Sequence, residues 1–168
     1  MGVNRGKQFE HVVREAFEAV PDTVVVRLPD QTNGYAGSKN PCDFLVYHLG
    51  HFYGIECKTV HGNTLPFANI TDYQYSELLK LASVRGCFAG ILCWWVDKDI
   101  TFFVPIEVIS ILKMIRGNKS IRYDDVGMLV THHGLRYCIP IPGKKKRVFF
   151  DYDMAQFFKE AEECIIPD

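Results

Sequence analysis

Asp43, Glu56 and Lys58 are the residues whose types and spacing could do chemistry together. Asp43 to His48 and His51 to Thr59 read as two strands, and Leu49-Gly50 between them suits a two-residue hairpin turn with the glycine at positive φ. Residues facing each other across such a hairpin have numbers summing to 99, which sets Asp43 opposite Glu56. Directly opposed side chains on antiparallel strands have Cβ atoms about 4.5–5.5 Å apart. Lys58, two residues beyond Glu56, shares its face. Two carboxylates so close repel unless a cation lies between them, and a hard, oxygen-bound ion such as magnesium is the natural candidate. In phosphodiester hydrolysis such an ion lowers the pKa of bound water and neutralises charge growing on the phosphoryl oxygens, while a lysine orients the nucleophile or steadies the transition state. A plainer reading stays open, because an E-x-K triplet recurs by chance and also suits a solvated strand face. The alternation of Ile55 and Cys57 with the charged pair, and the independent register of Asp43, favour the site. Pro29-Asp30 offers a competing acid, but it precedes a polar loop and has no register to Glu56.

The elements that must position these residues follow from periodicity. Phe9, Val12, Val13, Ala16, Phe17 and Val20 form one helical stripe, predicting a helix over Asn4 to Val20. Thr23 to Leu28 is a β-branched run ended by Pro29, a first strand. After a loop containing Gly62 and Pro66, Thr71-Asp72-Tyr73-Gln74 has capping-box form and opens a helix that Gly86 ends. Phe88 to Val96 is continuously apolar, as in a central strand buried on both faces, and Ile100 to Val104 follows across Asp97-Lys98-Asp99. Ile106 to Ile115 predicts a further helix. Asn118 to Tyr123 is polar and basic, Met128 to Thr131 and Tyr137 to Ile141 suit short strands, and Asp151 to Cys164 suits a helix.

The bulk properties narrow the class. A chain of 168 residues, 48% hydrophobic, can bury a sizeable core without dividing, and one domain over 1–168 is expected. Charged residues break every early apolar run, so no signal peptide or membrane span is read, and a cytoplasmic protein is expected. The six cysteines include no C-x-x-C pair and are expected to be reduced. The formal charge is −1, yet Lys113 to Arg147 holds nine basic residues against two acidic ones, leaving the rest of the chain at −8. Such asymmetry fits a surface that neutralises phosphates, or a solvated basic face with no partner.

Beyond these readings, the sequence resembles the RecU-type Holliday junction resolvases, which are PD-(D/E)XK nucleases. Asn4-Arg5-Gly6 followed by Phe9-Glu10 is similar to that family's N-R-G-x-x-F-E start. Asp43, Glu56 and Lys58 reproduce its acid, acid and lysine spacing, with Gly50 at its hairpin glycine. Leu65-Pro66-Phe67, Tyr73-Gln74 and Lys119-Ser120-Ile121-Arg122 resemble its later segments. The resemblance implies an α/β restriction-endonuclease-like core of order αβββαβ, with a mixed sheet flanked by helices. It also implies a homodimer that cuts branched DNA symmetrically with magnesium or manganese and leaves 5′-phosphate ends. The resemblance implies catalytic roles for Glu10 and Gln74 beside Asp43, Glu56 and Lys58, and a metal held by Asp43, Glu56, the Cys57 backbone carbonyl and Glu10; a surface role for Glu10 and a capping role for Gln74 are the alternatives. The chain departs from the family in having only a short segment between Arg27 and Asp43, where members carry a long stalk, and in Pro41 where they have threonine.

Other residues carry weaker signals. Arg5, Lys7, Lys39, Lys119, Arg122 and the run Lys144-Lys145-Lys146-Arg147 are candidate phosphate contacts; the run also suits a solvated turn before a C-terminal helix. Tyr35 and the 31–40 loop could enter DNA in place of the stalk. His48, His51 and His132-His133 lack partner acids at ligand spacing, and Trp94 and Trp95 belong to the core. The functional expectation is a junction-selective endonuclease; a duplex or flap nuclease of repair or restriction type, or a catalytically silent DNA-binding module, are the alternatives. No small-molecule cofactor is expected.

Overall fold

The computed structural model describes residues 4–29, 39–117, 119–128 and 138–163. Asp30, Tyr35, His132-His133, Arg136, Cys164 and the strand expected at Met128 to Thr131 lie wholly or mostly outside them. Helix α1 (Arg5–Glu18) starts where the Asn4 side chain accepts a hydrogen bond from the Lys7 N–H, and it buries Phe9, Val13 and Phe17 along one stripe. Strand β1 (Thr23–Arg27) follows, then β2 (Phe44–His48) and β3 (His51–Val60), all antiparallel neighbours. Next come β4 (Thr64–Pro66), a short 3-10 turn over Phe67–Asn69, α2 (Asp72–Ala82) and β5 (Cys87–Trp95). Strand β5 returns parallel to β3, while β6 (Ile100–Pro105) runs antiparallel to β5. The expected order αβββαβ is therefore present, with the short β4 interposed, as a mixed sheet flanked by helices whose order β1-β2-β3-β5-β6 is extended by β8 (Ile139–Pro140).

Two apolar layers hold the sheet between helices. On one face α2 and α3 (Ile106–Arg116) pack over Ile91, Cys93, Trp95 and Val104. On the other, α1 and α5 (Met154–Glu163) pack over Tyr53, Ile55, Leu92 and Trp94. Alternation along β5 sends Trp94 and Trp95 into opposite layers, both buried, so neither offers a surface for a base. The described cysteines are free. Among the described residues no helix is long and apolar enough to cross a membrane.

Some expected boundaries move. Helix α2 stops at Ala82 with Ser83 as its cap, four residues short of Gly86, which instead takes φ 78° in the turn into β5. The segment expected as a loop around Pro66 contains β4, and the polar stretch after Asn118 contains β7 (Ser120–Arg122), which pairs with it. Tyr123–Met128 then forms the short helix α4. In these segments a single inward residue, Leu65 or Ile121, gives too little alternation to mark a strand. Of the described residues in the run expected at Tyr137 to Ile141, Ile139–Pro140 join the sheet. Helix α5 begins at Met154, because Asp151 and Tyr152 belong to β10 (Phe150–Tyr152), which pairs with β9 (Gly143–Lys145). The basic run thus sits in a hairpin, not in a turn leading directly into a helix.

The bend between β2 and β3 uses positive φ at both central residues, 44° at Leu49 and 90° at Gly50. This suits strand twist but strains a leucine, whose Cβ crowds the following carbonyl there. Leu49 is 62% exposed and so is not retained for packing. Leu49→Asn should stabilise the protein by about 1 kcal/mol and raise Tm by a few degrees. Thermal denaturation measures this, and a lower Tm would show that the leucine contributes contacts worth more than the strain.

Candidate active site

The hairpin register runs from Phe44 opposite Ile55 to His48 opposite His51. It continues to Asp43, whose N–H donates to the Ile55 carbonyl at 3.1 Å while its own carbonyl accepts from the Leu28 N–H at 2.9 Å. Backbone from two neighbouring strands thus fixes Asp43, and its carboxylate Oδ2 accepts from the Cys57 N–H at 2.7 Å. Glu56 is 3% exposed. Its Oε1 accepts from Lys58 Nζ at 2.6 Å, so the acids and the amine meet as the register requires.

Gln74 serves two partners. Its amide oxygen accepts from the Thr71 N–H at 3.1 Å, completing the capping box, while its side chain is close enough to Glu56 to lower the pKa of that carboxyl. The capping role expected of Gln74 is present. Glu10 lies in the same field: its Oε2 is 3.3 Å from Arg27 Nη2, and its charge raises the pKa of Asp43 and Glu56. As placed, Glu10 is an ion-pair partner at the edge of the site, and among the described residues no three His, Cys, Asp or Glu side chains converge on one metal position.

Burial first, and then repulsion from Glu56, pushes Asp43 up to about 7, with the Cys57 N–H and Lys58 opposing. Burial likewise raises Glu56 against the pull of Lys58 and Gln74. The same charges and burial raise the thiol of Cys57 and lift Cys42 to about 12, so neither thiol is a nucleophile near neutral pH. Glu56 Oε2 is buried and has no hydrogen-bond partner. An orphaned carboxylate oxygen beside a second, repelling carboxylate fits a hard divalent cation. Two carboxylates leave the rest of the shell to water and backbone oxygen, which suits magnesium because it gives up water reluctantly.

The candidate phosphate contacts scatter over several surfaces. Arg5, Lys146 and Arg147 line a groove of about 1090 Å³ between α1 and the β9–β10 hairpin. Lys7 shares a small recess with Glu10 and Arg27. Lys39 lines a groove of about 890 Å³ beside the start of α2. Lys119, Arg122 and Lys144 are exposed. Lys145 pairs with Asp99, and Lys146 lies 3.3 Å from Asp151, so half of the basic run is already compensated within the chain. His48 stacks on Phe158 and bonds Thr23, and His51 meets Glu162; both are structural. Sequence reasoning passed over Arg27, whose signal was a cation closing a β-branched run. It also passed over His61, which bonds Arg5 and Asp97 just beyond β3.

No family model matches the chain, and no curated protein does. Among solved structures it is similar to Hjc, a Holliday junction resolvase from the archaeal hyperthermophile Archaeoglobus fulgidus, with a TM-score of 0.47 and 19% identity over 70% of this chain and 86% of that one. A likeness so distant assigns no residue a role.

The raised carboxyls tie stability to pH with a definite sign. A carboxyl whose pKa is higher folded than unfolded gives the folded state the extra proton, so its stabilisation is full below the unfolded value near 3.8 and is lost as pH rises through about 7. Without divalent ions the wild type should have a higher Tm near pH 5 than near pH 8, and magnesium should narrow the gap by binding the ionised form. Asp43→Asn should flatten the profile. Equal slopes for wild type and variant, followed by calorimetry in chelator, would refute the paired-acid account.

Proposed function

We propose that this protein is a magnesium-dependent endodeoxyribonuclease that resolves four-way DNA junctions, with manganese able to substitute. The observation that carries the nuclease reading is the meeting of Asp43, Glu56 and Lys58 on one hairpin face, with one buried carboxylate oxygen left unpartnered. Asp43 and Glu56 would hold the cation with the backbone carbonyl of Cys57, and Glu10 would act from the rim through the local field. The bound ion would supply an activated water and neutralise charge on the phosphoryl group. With a cation bound at the acids, Lys58 would be available to donate to the attacking water or to a phosphate oxygen. Gln74 keeps the Glu56 carboxylate from rotating away. Hydrolysis on this plan leaves a 5′-phosphate and a 3′-hydroxyl.

Selectivity for junctions rests on the motif resemblance at Asn4-Arg5-Gly6, Phe9-Glu10 and Lys119-Ser120-Ile121-Arg122. Symmetric cutting of two strands calls for a homodimer with one such site in each copy. The alternative of a duplex or flap nuclease has the same centre, because a metal site does not report the shape of the DNA around it.

Four-way junction, flap and linear duplex should be incubated with the protein and magnesium and resolved on a denaturing gel. Paired symmetric cuts in the junction, with little cutting of the other two, are expected. Asp43→Asn should lower the rate at least about a thousandfold and leave binding in place, and Lys58→Met should lower it about a hundredfold. Preferential cutting of the duplex or flap would move the substrate assignment, and undiminished cutting by Asp43→Asn would remove the site.

A further inference from the structure

The groove of about 890 Å³ beside the catalytic acids has a cation at each side, Lys39 and Lys113, and Gln74 in its wall. Lys113 is on α3, far in sequence from the acids, and among the described residues it has no carboxylate partner. Its ammonium instead lies 4.0 Å from the centroid of the Tyr75 ring and 5.5 Å from that of Phe67. Aromatic faces hold a cation in position without neutralising it. This contrasts with Lys58, Lys80, Lys145 and Lys146, each of which is spent on an acid of the chain.

Two of the residues lining the groove lead to the acids. Gln74 is close enough to Glu56 to lower the pKa of its carboxyl, and Lys39-Asn40 leads into Asp43 three residues on, with the Asn40 amide donating to the Pro29 carbonyl at 2.6 Å just beyond β1. Among the described residues Asp72 is the only acid lining it, against two lysines. A polyanion leaving the catalytic centre therefore meets two cations, one pre-positioned on aromatic rings.

We infer that this groove carries the DNA backbone next to the scissile phosphate, and that Lys113 is a phosphate-binding residue of the substrate strand. The inference rests on the nuclease reading above and adds the path of the strand. Lys113 positions substrate; it does no chemistry on the reacting atoms.

Binding can be read by fluorescence anisotropy in the Asp43→Asn background, where the strand is held but not cut, across a salt series. Lys113→Met keeps the aliphatic packing on Tyr75 and Phe67 and removes the charge; it should weaken binding several-fold and reduce the slope of log K against log salt by about 1. Lys113→Arg should restore both. Methylphosphonates placed singly along the strand identify the contact, since neutralising the partner phosphate should weaken the lysine protein and leave Lys113→Met unaffected. If the parent chain cuts and binds DNA while Lys113→Met matches it in affinity and slope, or loses affinity equally at every methylphosphonate position, the groove assignment is overturned and the nuclease reading stands. If the parent chain neither binds nor cuts, the two fall together.

Discussion

Everything in this molecule bends around one electrostatic problem: two carboxylates, on Asp43 and Glu56, are taken out of water within reach of each other. Burying a charge is costly unless it is paired, and here repulsion adds to desolvation. The chain compensates in part. The Cys57 N–H donates to one acid, while Lys58 and Gln74 reach the other. Part of the imbalance persists in the raised pKa of both groups and in the unpartnered oxygen of Glu56. Such a partly compensated pair inside an otherwise well-packed sheet is a cost that protonation or a bound cation would remove.

The surrounding architecture holds that pair rigid. Strand β3 is flanked by antiparallel β2 and parallel β5, so the backbone under Glu56 is hydrogen-bonded on both edges. Aromatic layers above and below, with Trp94 on one side and Trp95 on the other, keep the sheet from shifting against its helices. Helix α1 presents Glu10 to the acids with a ring-filled face beneath it, and Arg27 at the end of β1 restrains that third carboxylate. Three carboxylates thus act on one another around Asp43, while Lys80, Lys145 and Lys146 are paired with acids elsewhere.

How much of this was legible in the sequence depends on how local each signal was. The hairpin was readable because two residues at a turn fix the register of every pair beyond it, and Asp43 follows Phe44 by one step of that register. The helical stripe of α1 and the capping box at Thr71 are likewise encoded within a few residues. The β4–β7 pairing joins residues more than fifty positions apart through three-residue strands, and no short window contains it. The seat of Lys113 on Tyr75 and Phe67 arises only when α3 packs against α2, so composition counted that lysine without showing what it faces. The pairing of Lys145 with Asp99 is also tertiary, and it reduces the charge that a run of basic residues seems to offer.

The double engagement of Gln74 has a further consequence. One amide group both seals the first turn of α2 and steadies the Glu56 carboxylate, so these two events share a single set of donors and acceptors. Fraying of that turn would slacken the acid, and an ion drawing the acid toward itself would tug on the helix start. Local melting at one end of an eleven-residue helix is thereby linked to the orientation of a buried carboxylate, and crowding at Thr71 becomes a way to tune its surroundings from outside.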